Sequence, residues 1–150
     1  MLGNEFLVQV KASITPAVEV GPSPRGYRRV IPISGGTFEG PKLRGTVLPG
    51  EDRQTFLSDG TLEVVARYGL KTHDGAVILV TNRGFWHGPP EVGARLAQGE
   101  HVDPALYYFR TCARLEAPGG GPHAWLNHRI IVGSVAPALG VVVVDFFVVS

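Results

Sequence analysis

Five residues in this chain combine charge or aromatic area with directional polar groups in a way that suits a small organic ligand: Arg67, Tyr108, Arg110, Trp125 and Asn127. The arginines stay charged at any working pH and present a planar fork of donors that matches a carboxylate, enolate or phenolate. Tyr108 and Asn127 can direct hydrogen bonds to a carbonyl, and Trp125 adds apolar area, the mixture that lines small-molecule pockets. His87, in Phe85-Trp86-His87-Gly88-Pro89-Pro90, is the histidine expected nearest a barrel mouth. There it or Tyr108 could move a proton near neutral pH. The competing account is a set of solvated side chains, with Arg67 and Arg110 paired to nearby carboxylates at little energetic consequence.

Other chemistries find less support. His73, His87, His101, His123 and His128 place no two on one strand face, so no metal site is expected. Gly119-Gly120-Gly121 opens no helix that could cradle phosphate, and the chain has neither a Walker sequence nor a nucleophile elbow. Any reaction is therefore expected to run without a bound cofactor. Cys112 is the only cysteine, which excludes an internal disulfide, suits a reducing cytoplasm and reads as a small buried side chain.

The elements that must position these residues are mostly strands. The 150 residues are 44% apolar and 18% charged, enough core material for one domain spanning 1–150 that folds unaided. A net charge of +1 without runs of either sign argues against nucleic acid as a partner. Met1 to Ser13 carries Asn4, Glu5 and Lys11 and reads as a first strand rather than a signal peptide. Val141 to Val149 is too short to cross a membrane as a helix and reads as a buried strand, or one partly at a subunit contact.

Gly35-Gly36 and Pro49-Gly50 predict turns between strands near Arg28 to Ser34, Leu43 to Leu48 and Gln54 to Leu57. Asp59-Gly60 and Asp74-Gly75 predict hairpin turns around a strand from Thr61 to Lys71, followed by a central strand, Ala76 to Asn82. One helix is predicted over Pro89 to Gln98. Long strands follow from Ala105 to Glu116 and His123 to Gly133, joined by Pro118 to Pro122. The resulting expectation is a mainly β fold, a small antiparallel β-barrel with one short α-helix, since closure removes exposed edges.

Alternation along the strands separates two faces. Leu62, Val64, Ala66, Tyr68 and Leu70 are apolar opposite Glu63, Arg67 and Lys71. Tyr107, Phe109, Ala113 and Leu115 oppose Tyr108, Arg110, Cys112 and Arg114. Ala124, Leu126, Ile130 and Val132 oppose Trp125, Asn127 and Arg129. The polar and aromatic faces are the ones expected to line a cavity.

Nine segments in order resemble the family called domain of unknown function 3237, also listed as uncharacterised protein family 0311. They are Ile33-Ser-Gly-Gly-Thr-Phe-Glu-Gly40, Leu43-Arg-Gly-Thr-Val-Leu-Pro-Gly50, Ala66-Arg-Tyr68, Thr72-His-Asp-Gly75, Asn82-Arg-Gly84, His87-Gly-Pro89, Val102-Asp-Pro104, Tyr107-Tyr-Phe-Arg-Thr111 and Ala124-Trp-Leu-Asn127. The resemblance implies a small β-barrel with a concave interior, frequently dimeric, with no generally established activity. It implies recurrent polar or aromatic positions at Arg67, Asn82, Arg83, Tyr108, Arg110, Trp125 and Asn127. The chain departs from the family pattern at Val65, where relatives often carry an acid two residues before the arginine, and at Arg53, where they often carry tryptophan. Without that acid, Arg67 reads as a ligand clamp or an ion pair.

Three functions follow as expectations. The first is a binding barrel for an apolar or aromatic compound with a carbonyl or carboxylate, held by Arg67, Asn82, Arg83, Arg110, Trp125 and Asn127. The second is a cofactor-free isomerase, cyclase or lyase working through an enolate-like species, with His87 or Tyr108 transferring the proton. The third is a cytoplasmic homodimer module without a ligand.

Overall fold

The computed structural model describes all 150 residues. Nine antiparallel strands form one continuous sheet: β1 (Asn4–Ile14), β2 (Val18–Ser23), β3 (Gly26–Glu39), β4 (Arg44–Phe56), β5 (Leu62–Thr72), β6 (Val77–His87), β7 (Tyr108–Glu116), β8 (Ile130–Ala138) and β9 (Val141–Val149). The order runs β1-β9-β8-β7-β6-β5-β4-β3, and β1 pairs again with β3, closing an eight-stranded barrel. β2 lies outside that ring and pairs only with the first half of β3. No helix is long and apolar enough to cross a membrane.

Closure demands sharp coiling, and glycines supply it where the sequence had suggested turns. Gly35-Gly36 lies inside β3, on the seam with β1. At Gly36, φ is +134° and a Cβ would stand 2.0 Å from the Lys11 carbonyl oxygen, so only glycine lets the two strands meet. Pro49-Gly50 likewise lies inside β4, where the register shifts between Leu48 and Glu51. A bulge absorbs the proline without ending the strand. Both expected turns are thus bends, and the three short strands expected here are two long ones.

A second correction concerns the segment expected to be a strand from His123. Ala124–His128 is a short 3₁₀ turn, and β8 begins only at Ile130. The turn resets the alternation, so Ile131, Gly133 and Val135 face inward and Ile130 is 69% exposed. The helix forms as expected: α1 (Pro90–Ala97) has proline and Glu91 in its first turn and Arg95 in its last. Gly93 lets it settle on the Trp86 indole, where a Cβ would lie 3.2 Å from the ring.

The barrel interior divides in two. Toward the end that carries the β3–β4 and β5–β6 turns, Leu7, Leu43, Leu70, Ile78, Leu115 and Leu126 are almost wholly buried, each contributing about 2 kcal/mol of apolar burial. Toward the α1 end the inner face turns polar.

Candidate functional site

The structure does not bring the sequence-predicted residues into one place. Tyr108, Arg110 and His87 share the outer wall near the α1 end, where His87 and Tyr108 are register partners. Tyr108 stacks on Phe85 at 5.5 Å, and the Arg110 guanidinium lies 5.7 Å from the Tyr108 ring. Arg110 Nη1 donates to Ser134 Oγ at 3.1 Å, and His87 Nδ1 stands 3.4 Å from Thr61 Oγ1. A cleft of about 570 Å³ runs over Tyr108, Arg110, Ser134 and Phe147. Cys112 lies in it and is exposed, not buried, because the residues alternating with Phe109 and Leu115 face out.

Arg83 and Arg67 are also on the outer wall, on β6 and β5, and both are exposed. Arg67 is in register with Glu51, but that carboxylate turns to Arg53, 3.1 Å away. Trp125 and Asn127 sit at the other end of the barrel, in the 3₁₀ turn. Asn127 uses its amide to close the ladder beyond β7, accepting from the Ala117 N–H at 2.7 Å and donating to the Ala117 carbonyl at 3.0 Å. Of the predicted set, only Asn82 faces the barrel interior.

Asn82 has company there. Register places Asp52, Ala66, Asn82 and Ala113 side by side on the inner face of β4, β5, β6 and β7. Tyr68, Trp86 and Thr111 share that face. Asp52 Oδ1, Tyr68 OH, Asn82 Oδ1, Trp86 Nε1 and Thr111 Oγ1 are all sealed from solvent without a hydrogen-bond partner within the chain. A buried polar group left unpaired costs on the order of 1–3 kcal/mol, so five such groups on one face call for partners from bound water or a guest. Ala66 and Ala113, the small side chains on either side of Asn82, are only partly buried although they face inward.

The electrostatics single out Asp52. Its Oδ2 accepts from Gln54 Nε2 at 2.9 Å, and Gln54 Oε1 accepts in turn from Arg29 Nε at 2.7 Å. Arg29 is half-buried, with its guanidinium 4.8 Å from the Phe56 ring. Burial pushes the Asp52 carboxyl up to about 6, against the opposing pull of the Gln54 hydrogen bond and the Arg29 charge. Burial, then the Asp52 charge, holds the Tyr68 phenol well above its ordinary value. Asp52 thus exchanges a proton near neutral pH while Tyr68 stays a neutral donor. No three His, Cys, Asp or Glu side chains stand close enough to hold a metal ion.

Asp52, Tyr68, Trp86 and Thr111 are not among the residues that the sequence singles out. Tyr68 stands among apolar neighbours on its face, and that pattern hides its hydroxyl. Asp52 fell beside an expected turn, and in Glu51-Asp52-Arg53-Gln54 both faces are polar, so alternation gives no inward direction.

Residues 3–149 match the family described as "Protein of unknown function (DUF3237)". The chain belongs to the DUF3237 family. Within it, a UPF0311 protein of Rhodopseudomonas palustris is 39% identical over 145 residues, 96% of this chain and 94% of the relative. The crystal structure of a conserved protein of unknown function from Rhodopseudomonas palustris superposes with a TM-score of 0.94 at 38% identity, covering 100% of this chain and 99% of that one. A more distant relative is an enzyme: the hydroalkoxylation enzyme phnH of Penicillium herquei is 36% identical over 77 residues, 51% of this chain and 52% of its own.

Proposed function

We propose that this DUF3237 barrel binds a small hydroxylated aromatic or unsaturated molecule in its polar half and moves a proton on it, with Asp52 as acid and base. The observation that carries the reading is Asp52 itself: a carboxyl with one oxygen anchored by Gln54, the other buried and unpaired, and a pKa raised to about 6. Such a group donates and accepts within one cycle near neutral pH. Tyr68 and Trp86 offer donors to a ligand oxygen, and Asn82 an acceptor to a ligand hydroxyl.

Addition of a hydroxyl across a carbon–carbon double bond fits these groups. Protonated Asp52 gives its proton to one alkene carbon as the ligand's hydroxyl oxygen bonds to the other. The hydroxyl proton returns to the carboxylate, so ligand and product are isomers and Asp52 is regenerated. The name of the Penicillium herquei relative describes chemistry of this class, which supports the choice over other proton transfers.

The test is incubation with 2-prenylphenol in D₂O, read by mass spectrometry and NMR. The expected product is the cyclic ether with one deuterium on carbon, formed at least about 100-fold more slowly by Asp52→Asn, a loss typical of removing a general acid–base. Undiminished turnover in Asp52→Asn would sink the assignment. Saturable binding without product in the native protein would leave a carrier rather than an enzyme.

A further inference from the structure

At the end of the barrel away from Asp52, the 3₁₀ turn holds Trp125 half-buried against the core. The Lys42 ammonium lies 5.0 Å from the centroid of its ring, and the Arg129 guanidinium lies 5.9 Å from it. These three residues line a cleft of about 390 Å³ whose apolar wall is formed by Phe6, Leu7 and Val148. The close contacts between basic side chains and carboxylates are Arg53–Glu51, Arg95–Glu100 and His123–Asp74, so neither Lys42 nor Arg129 is neutralised by a carboxylate. Glu5 is the one acidic side chain in the lining.

Two cations over an indole beside an apolar wall form a combination that a solvated surface does not require. The turn that presents Trp125 is fixed at both ends. Asn127 is bound to Ala117, and His123 Nε2 is 3.1 Å from Asp74. The indole is therefore pre-positioned, which lowers the ordering cost of binding. We propose that this cleft is a second small-molecule site, for an organic carboxylate with a planar aromatic body. The ring would lie against Trp125 and Phe6, and the carboxylate would be shared by Arg129 and Lys42. It is separate from the polar interior and does not depend on the proton-transfer reading.

The chain has two tryptophans, Trp86 and Trp125, so ¹⁵N-labelled protein gives two indole N–H signals, assigned with Trp125→Phe. Titration with 1-naphthoate is expected to move the Trp125 signal saturably and leave that of Trp86 in place, whereas neutral 1-naphthalenemethanol leaves both. Lys42→Gln/Arg129→Gln, which alters exposed side chains, is expected to keep its melting temperature and lose at least about tenfold in affinity. Movement of the Trp86 signal instead, equal binding of the alcohol, unchanged affinity in the double variant or no saturable shift at millimolar naphthoate would each overturn the proposal. None of these outcomes bears on Asp52.

Discussion

Arg29 Nε donates to Gln54 Oε1 at 2.7 Å, and because a guanidinium can only donate, that bond settles which way the Gln54 amide points. Its NH₂ group must then face Asp52 and occupy Oδ2. The one oxygen left to exchange a proton with a guest is Oδ1. Arg29→Gln removes both the orienting donor and a positive charge that lowers the Asp52 pKa. The Asp52 carboxyl is expected to titrate above its native value of about 6, measured by carboxyl ¹³C NMR. Any turnover, which starts from protonated Asp52, should then show its alkaline limb displaced to higher pH. A titration unchanged by Arg29→Gln would mean the arginine has no electrical hold on the site.

Asp52 also makes stability depend on pH in an unusual direction. Its folded pKa, about 6, exceeds its ordinary value of 3.8, so the folded state binds the proton more tightly. The native protein bears no penalty below pH 3.8 and loses on the order of 3 kcal/mol as pH rises through about 6. Asp52→Asn escapes that loss. Urea unfolding of the two proteins should diverge across this window, with the variant the more stable at pH 7.

Asp74 acts in the opposite sense. Hydrogen bonds from Thr72 and His123 lower its pKa to about 2. Its contribution is therefore fully present above the ordinary value of 3.8 and disappears as pH falls toward about 2. Asp74→Asn should melt below the native protein at pH 6, with the gap closing in acid. A gap that persists at pH 2 would assign the loss to geometry rather than charge.

Thr111 carries a sealed, unpaired hydroxyl. Thr111→Val keeps the shape and removes the orphan, so a gain of about 1 kcal/mol in unfolding free energy is expected. Binding in the polar interior should weaken in the same variant, measured by calorimetry with 2-prenylphenol. A stability gain with unaltered binding would move the ligand away from Thr111.

The legible part of this molecule was its alternation. The alternate residues from Leu62 to Leu70 and from Phe109 to Leu115 face inward as the sequence indicates, and the helix and last strand lie where they were expected, although only Val144 and Phe146 of that strand are buried. The site was harder to read for the same reason. A barrel's interior lies on its apolar face, so the polar residues that point into it appear singly among hydrophobic neighbours, as Tyr68 does between Ala66 and Leu70. The arginine-rich face looked functional because charge is concentrated there, yet Arg67, Arg83 and Arg110 are exposed. Asn82 could be found from sequence only through the family resemblance.

The seam of the barrel bears on how the protein is made. β1 needs β9 on one side and β3 on the other, with Gln9 opposite both Asp145 and Glu39. Pairing of β1 with β3 can occur early in synthesis, but the ring stays open until the last strand has left the ribosome. Until then the apolar side of β1 faces solvent. The rate of closure should follow this long sequence separation, and the nascent chain is exposed to aggregation until β9 has paired with β1.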